Sequence, residues 1–128
     1  MTKAKILVVD DEKEICEITK NFLDRRNYSC FTATTEKDAL ELVKKESPEL
    51  VILDVRLGES SGLDVLSKIK SLNTNTEVIM ITGLGDEETM QQAKSLGAND
   101  FITKPFSADF LNNLLAQKLA DLKKAKTP

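Results

Sequence analysis

Polar residues stand directly after four apolar segments of this 128-residue chain. They are Asp10 with Asp11, Asp54, Thr82 and Lys104. The segments before Asp10 and Asp54 are apolar on both faces, which predicts strands buried inside a parallel sheet. Because the carboxyl ends of parallel strands open on one rim, where α/β sheets place their ligands, we expect these side chains to converge.

Three carboxylates at one rim favour a bound cation. At separations of ~4–5 Å, each pair repels by roughly 3–4 kcal/mol at an effective dielectric constant near 20. An all-oxygen site with few protein ligands suits Mg²⁺, which retains several waters and bridges to phosphate, and Mn²⁺ is the alternative. A carboxylate beside a metal ion, a hydroxyl and an ammonium group predicts phosphoryl transfer to Asp54.

Each of these residues also has an ordinary structural explanation when it is taken alone. Asp10 and Asp11 would cap the following helix, and Asp54 would be a turn residue. Thr82 would be a strand threonine, and Lys104 would be a solvated surface lysine. The chemical interpretation therefore depends on all of them lying at one rim of one sheet.

The elements that position these residues alternate along the chain. Strands are predicted at residues 6–9, 28–32, 50–54, 77–82 and 100–103, and a helix is predicted after each strand. Such alternation predicts one α/β domain, in which helices cover both faces of a parallel sheet. The first helix is expected to bury a stripe formed by Ile15, Ile18, Phe22 and Leu23.

Capping residues mark the predicted helix ends. Asn27 is expected to be a left-handed C-cap, and Gly97 is expected to end the fourth helix. Thr35 and Asp86 are predicted N-caps. The last helix is predicted to begin near Ser107, and its buried face is predicted to contain Leu111, Leu114, Leu115, Leu119 and Leu122.

Composition limits the classes of function. The chain is 41% hydrophobic and 30% charged with a net charge of −3, so we expect a globular domain without direct nucleic-acid binding. It contains no His, which rules out a Ser-His triad or an imidazole base within it. No apolar run approaches the ~20 residues of a membrane span. Cys16 and Cys30 lack metal-ligand spacing and are expected to be free thiols of a cytoplasmic protein.

Four motifs together resemble those of a known family. They are Ile-Leu-Val-Val-Asp-Asp-Glu at 6–12, Leu-Asp at 53–54, Ile-Thr-Gly at 81–83 and Gly-Ala-Asn-Asp-Phe-Ile-Thr-Lys-Pro-Phe at 97–106. Their order and spacing are similar to those of the receiver domain of two-component response regulators. The resemblance implies a flavodoxin-like, three-layer (βα)5 sandwich of strand order 2-1-3-4-5. A single domain would span residues 1–128, with its core at 4–122 and a short basic tail at 123–128.

The resemblance also implies how the metal would be held. Asp54 would accept the phosphoryl group and ligate Mg²⁺. Asp11 would bind the ion directly, and Asp10 would bind it mainly through water. The main-chain carbonyl of Arg56 would be a further ligand.

Further implied roles concern the phosphoryl group and the signal. Lys104, the Thr82 hydroxyl and the Gly83 N–H would contact the phosphoryl group, and the Lys104–Pro105 peptide would be cis. Phe101 would be the switch aromatic that turns inward when Thr82 moves. The face formed by the fourth helix, fifth strand and fifth helix would then act on an output domain or protein, or form a dimer.

The implied phosphodonor is a sensor histidine kinase or a histidine phosphotransfer protein, because this chain has no His of its own. The chain would then be a phosphoacceptor signalling domain and not an enzyme.

Three departures from the family pattern qualify the resemblance. Gly58 replaces the usual proline and Ser60 replaces a common Met, which predicts a more mobile loop. Phe101 replaces Tyr and so lacks a phenolic hydroxyl. Arg56 and Leu84 occupy positions that help to set the rate of phosphate hydrolysis.

Three other functions remain open at this point. An aspartyl phosphatase would use Asp10 as its nucleophile. A nucleotide-binding module would use the glycine-rich start at Gly83-Leu84-Gly85, although Glu88 stands where a third glycine belongs. A receiver-like interaction module would never be phosphorylated.

Overall fold

The computed structural model describes residues 3–73, 75–83 and 87–126. Predictions for Leu84, Gly85 and Asp86 fall outside these residues, as do predictions for the side chains of Leu122 and the lysine-rich tail. The described elements are β1 (Lys5–Val9), α1 (Lys13–Asp24), β2 (Ser29–Ala33), α2 (Glu36–Glu46), β3 (Leu50–Asp54), β4 (Arg56–Leu57), β5 (Ser60–Ser61), α3 (Gly62–Leu72), β6 (Glu77–Thr82), α4 (Glu87–Ser95), β7 (Asp100–Thr103) and α5 (Ala108–Lys126).

Five strands form one parallel sheet in the order β2-β1-β3-β6-β7. The predicted order 2-1-3-4-5 is confirmed, because β4 and β5 form a separate two-stranded hairpin and are not part of this sheet. The central strand β3 is buried along its whole length, as expected for an apolar run covered on both faces.

Helices cover both faces of the sheet. The side chains on one face pack with α2, α3 and α4, for example through Val43 and Ile69. Those on the other face pack with α1 and α5, for example through Leu23 and Leu115. Neighbouring residues of one strand point to opposite faces, so the all-apolar strands supply both cores. None of the described helices is long and apolar enough to cross a bilayer.

Several predicted helix ends are confirmed. The Thr35 hydroxyl accepts a hydrogen bond from the Asp38 N–H at 3.2 Å, and Ser107 Oγ accepts one from the Phe110 N–H at 3.1 Å. Asn27 has a φ of 67° and Gly97 has a φ of 102°, so the chain turns through left-handed residues after α1 and α4.

The predicted buried stripe of α1 is wrong at two positions. Ile15 is 38% exposed and Ile18 is 66% exposed, while Cys16 and Leu23 are the residues that α1 buries. The apolar spacing in the sequence identifies an apolar helix face, but it does not say whether a neighbouring element covers that face. Here the Ile15–Ile18 face lies beside the start of α5 and remains open.

The segment after Asp54 also differs from the predicted loop. Arg56 and Leu57 pair antiparallel with Ser61 and Ser60, so the backbone forms a short hairpin. The Ser61 hydroxyl then caps α3. Sequence periodicity does not detect strands of two residues.

Candidate functional site

The structure brings Asp54 and Lys104 into direct contact at the carboxyl end of the sheet. Asp54 is the last residue of β3 and is 7% exposed. Its Oδ2 accepts a hydrogen bond from Lys104 Nζ at 2.7 Å, across 50 residues of chain. The other oxygen, Oδ1, accepts the main-chain N–H of Arg56 at 2.9 Å. Both oxygens of Asp54 therefore have donors before any ligand binds.

Lys104 is held at this rim by its main chain. Its N–H donates to the Thr82 carbonyl at 2.8 Å, and the Lys104–Pro105 peptide is cis, as predicted. Partial burial favours a lower pKa for Lys104, but the hydrogen bond to Asp54 and the charges of Asp54, Asp10 and Glu12 outweigh it and raise the pKa. Lys104 is therefore a cation at neutral pH.

Asp10 is the most deeply buried carboxylate of the rim. It is 3% exposed and follows β1. Its Oδ1 accepts the Glu12 N–H at 3.0 Å, whereas Oδ2 is buried and has no hydrogen-bond partner within the described part of the chain. Burial is the main reason that the pKa of Asp10 is raised, and the negative charges of Asp54 and Asp11 raise it further. A buried carboxylate oxygen without a donor is costly unless a cation or water satisfies it.

Asp11 lies at the exposed end of the rim. Its Oδ2 accepts a hydrogen bond from the Gly58 N–H at 3.1 Å, which joins the acidic loop to the β4–β5 hairpin. Nothing in the sequence predicts this contact, because Asp11 and Gly58 are 47 residues apart.

The residues fit a magnesium ion. Asp10 presents an unpartnered oxygen, and Asp11 and Asp54 lie at the same rim, so hard oxygen ligands are available. Within the described residues, no group of three or more Asp, Glu or Cys side chains is arranged to hold a metal ion by itself. Mg²⁺ does not require one, because it typically takes one or two carboxylates and completes its octahedron with water and phosphate oxygens.

The other predicted site residues lie nearby. Thr82 ends β6, is 2% exposed, and donates its hydroxyl hydrogen bond to the Gly83 carbonyl at 3.3 Å. Gly83 is exposed, and a methyl group added to it would meet open space. Phe101 of β7 is half-buried and packs against the core that faces α2, α3 and α4. Among the described residues, the Thr82 hydroxyl makes no hydrogen bond to Asp54.

Cys16 is a supporting residue that the sequence did not indicate. The thiol is 1% exposed and lies 3.3 Å from the main-chain oxygen of Asp10, to which it donates. Burial and the nearby Asp10 charge raise the pKa of Cys16, so it stays a neutral donor. It helps to hold the acidic loop on α1.

A groove of about 500 Å³ begins at the ion pair and runs between α1 and the start of α5. It is lined by Glu12, Ile15, Ile18, Thr19, Phe22, Lys104, Pro105, Phe106 and Leu111. The guanidinium of Arg26 lies over the Phe22 ring, 3.6 Å from its centre. The groove therefore joins an apolar surface to the charged rim.

This fold and its acidic rim define a flavodoxin-like α/β domain, and known proteins resemble it over nearly its full length. The family model of the response regulator receiver domain matches residues 6–116. Sporulation initiation phosphotransferase F of Bacillus subtilis (strain 168) is 33% identical over 119 residues, which are 93% of this chain and 96% of that protein. Regulatory protein VanR of Enterococcus faecium is 39% identical over 122 residues, which are 95% of this chain and 51% of VanR.

Solved structures agree with these relatives. A CheY-like response regulator receiver domain protein from Methanospirillum hungatei JF-1 superposes with a TM-score of 0.91 at 28% identity, covering 96% of this chain and 98% of that one. The chain belongs to the response regulator receiver domain family of two-component systems. It spans about half the length of VanR, whereas it covers nearly all of the sporulation phosphotransferase.

Proposed function

We propose that this domain accepts a phosphoryl group on Asp54 from a phosphohistidine of a partner protein, with Mg²⁺ as cofactor. The observation that carries the proposal is the 2.7 Å contact between Asp54 and Lys104 beside the buried, unpartnered Oδ2 of Asp10. A nucleophilic carboxylate, a fixed cation and a place for a metal ion are the parts that phosphoryl transfer requires.

In the proposed reaction an oxygen of Asp54 attacks the phosphorus of the phosphohistidine. A bond forms between this oxygen and phosphorus while the phosphorus–nitrogen bond breaks, and its electron pair returns to the donor imidazole. The Arg56 N–H keeps Oδ1 in place. Lys104 moves from Oδ2 toward the oxygens of the transferred group, where its positive charge offsets the charge that develops there.

Asp10, Asp11, Asp54 and the main-chain carbonyl of Arg56 are the groups that would hold Mg²⁺. When bound, the ion would neutralise the phosphoryl oxygens that approach the acidic rim. Mn²⁺ offers a similar charge and oxygen preference and is the alternative cofactor.

The proposed signal begins at Thr82. Its hydroxyl leaves the Gly83 carbonyl and, with the Gly83 N–H, binds the phosphoryl group, and Phe101 then turns inward. Lys104 exchanges its bond to Asp54 for one to the phosphoryl group, so the new charge-assisted hydrogen bond is the one from Thr82, which would supply roughly 1.5–3 kcal/mol. Reversing a two-state population from 1:99 to 99:1 takes about 5.5 kcal/mol. Phosphorylation would therefore shift the α4–β7–α5 face in part, and a partner bound to that face would complete the change. Through this face the domain would act on an output domain or protein, or dimerise.

The phosphodonor would dock along the groove between α1 and α5. Lys104 and Pro105 belong to both the groove and the reaction site, so a partner seated there places its histidine next to Asp54. Exposed Ile18 and half-buried Phe22 offer apolar contact, and Glu12 adds negative charge at the end near the site. We expect the donor to present an amphipathic helix with apolar residues flanked by Lys or Arg.

We further propose that residues 1–128 act as a single phosphoacceptor domain, not as an enzyme, in the cytoplasm with the donor.

Intact mass spectrometry tests the acceptor assignment. The protein is incubated with Mg²⁺ and acetyl phosphate, and we expect a mass gain of one phosphate that Asp54→Asn abolishes. Asp10→Asn would lower the yield without removing the acceptor. Turnover of a small phosphoester that survives Asp54→Asn but not Asp10→Asn would instead identify an aspartyl phosphatase, and no mass gain in the unmodified protein would contradict the proposal.

Ile18→Ser tests the docking surface. We expect it to slow phosphoryl transfer from a phosphorylated histidine phosphotransfer domain about tenfold or more, since exposed apolar anchors dominate such contacts. Its reaction with acetyl phosphate should not change, because that donor does not use the groove. Leu72→Ser is the matched control, since Leu72 is 45% exposed on α3 and does not line the groove. Equal slowing by both variants would contradict the assignment.

A further inference from the structure

Each of the three rim carboxylates has one oxygen fixed by a main-chain N–H. For Asp10 and Asp54 the donor stands two residues further along the chain, 3.0 and 2.9 Å away. These are local turns that an aspartate can form almost anywhere. For Asp11 the donor is Gly58, 47 residues away in sequence and 3.1 Å away in space. Asp11 is therefore the carboxylate whose main-chain donor comes from a distant part of the chain.

The β4–β5 hairpin delivers this N–H through a tight turn. Leu57 pairs with Ser60, so Gly58 and Glu59 are the two central residues. Gly58 has a φ of +60° and Glu59 does not have a positive φ, which is the pattern of a type II′ turn with glycine in its first central position. A methyl group on Gly58 would meet no atom within 4 Å, so the turn conformation and not crowding favours glycine. Position 58 requires a positive φ and an N–H that can donate to Asp11. Proline meets neither requirement, because its φ is near −65° and it has no N–H.

We propose that the Gly58 N–H is a positioning donor for Asp11, holding Oδ2 so that Oδ1 is left to bind a divalent cation. This inference rests on the proposed function, because it assigns the hairpin a role toward Mg²⁺. In the described part of the chain, Gly58 provides the only hydrogen bond to the Asp11 carboxylate. Hydrogen bonds to metal-ligating carboxylates orient them, and losing one costs about 10–100-fold in metal affinity. The glycine that departs from the family's usual proline thus supplies a donor that proline lacks.

An amide-to-ester exchange tests the donor directly. Incorporating glycolic acid at position 58 replaces the N–H by oxygen and leaves the same backbone freedom. Mg²⁺ binding is measured by isothermal titration calorimetry, and we expect about tenfold weaker binding. The matched control is (S)-2-hydroxyglutaric acid at position 59, the hydroxy-acid analogue of Glu. It keeps the Glu59 side chain and places an ester in the same turn, at an amide for which the described structure has no hydrogen bond. Gly58→Ala keeps the N–H and should lose clearly less affinity than the ester.

The outcomes separate the two proposals. If the unmodified protein binds Mg²⁺ and the position-58 ester binds it equally well, the positioning role is wrong and the proposed function stands. If both esters weaken binding equally, the turn conformation matters and the N–H does not, which also overturns the inference. If the unmodified protein binds no Mg²⁺, the metal-dependent function fails and this inference fails with it.

A second measurement needs no ester. Hydrogen exchange of the Gly58 amide is followed by NMR in EDTA for the unmodified protein and for Asp11→Ala. Removing the acceptor should accelerate exchange about tenfold, the loss expected for one hydrogen bond worth about 1.4 kcal/mol. Unchanged exchange would show that the amide does not bond to Asp11 in solution and would overturn the inference.

Discussion

The Asp10→Asn variant should be more stable than the unmodified protein in EDTA and less stable than it in saturating Mg²⁺. In EDTA at pH 7 the buried carboxylate of Asp10 carries a charge beside Asp54, and its Oδ2 has no partner in the described structure. Repulsion at ~4–5 Å amounts to roughly 3–4 kcal/mol per pair, and Lys104 offsets part of it. We therefore expect Asp10→Asn to raise the free energy of unfolding by about 1–2 kcal/mol.

Saturating Mg²⁺ should give the opposite order. A ligand at 100 times its dissociation constant stabilises the folded state by about 2.7 kcal/mol. The unmodified protein gains this stabilisation, whereas Asp10→Asn gains much less because it has lost a carboxylate of the metal site. Urea unfolding followed by circular dichroism, in EDTA and in Mg²⁺, measures both differences.

The pH dependence has a defined sign. Burial raises the pKa of Asp10 in the folded protein above the ordinary value of 3.8. The folded state therefore binds this proton more tightly than the unfolded chain does. The stabilisation that comes from protonated Asp10 is present at low pH and is lost as pH rises from 3.8 through the raised pKa. The advantage of Asp10→Asn in EDTA should shrink on acidification through that window. Glu41→Gln, which removes an exposed carboxylate from the middle of α2, is the control and should change stability by less than about 0.5 kcal/mol. If Asp10→Asn is less stable than the unmodified protein in EDTA at pH 7, the account of repulsion at this rim is wrong.

Three further predictions follow from local structure. Gly62→Ala should lower the free energy of unfolding by about 3 kcal/mol or more, since a Cβ there would clash with the main-chain oxygen of Asp54. A loss below about 1 kcal/mol in urea unfolding would contradict this clash. Ser47→Gly should raise stability by about 0.5–1 kcal/mol, because Ser47 ends α2 with a φ of 46°; a loss would contradict this. The native thiols of Cys16 and Cys30 should react far more slowly with iodoacetamide at pH 7.5 than those of the unfolded chain. Burial raises the pKa of both thiols, that of Cys30 to about 12. Rapid labelling without denaturant would disprove their burial.

The sheet was largely predictable from local pattern. Runs that are apolar on both faces correspond to β1, β3 and β6, and the strand residues 77–82 and 100–103 are confirmed as β6 and β7. The expected strand at 28–32 appears one residue later, as β2. These predictions succeed because a strand covered on both sides requires continuous apolar residues, and that requirement is visible in sequence.

Sequence predicted less about α1 and the hairpin. The apolar face with Ile15 and Ile18 was expected to be buried, yet it is exposed beside α5. The two-residue strands β4 and β5 have no detectable period, so the sequence predicts a loop where the structure has a hairpin. In both cases the outcome depends on which distant segment lies alongside, and periodicity within one segment carries no such information.

The same division applies to the site. Sequence alone determined which residues stand at the carboxyl ends of the strands, because parallel strands all end at one rim. Only the tertiary structure decided which atoms meet: Lys104 Nζ contacts Asp54 Oδ2, the Gly58 N–H contacts Asp11, and Asp10 Oδ2 is left buried. These contacts join residues up to 50 positions apart, and hydrogen bonds form only within about 3 Å. Residue types and strand order fix the groups present at the rim, and the closed fold determines how each of them is oriented.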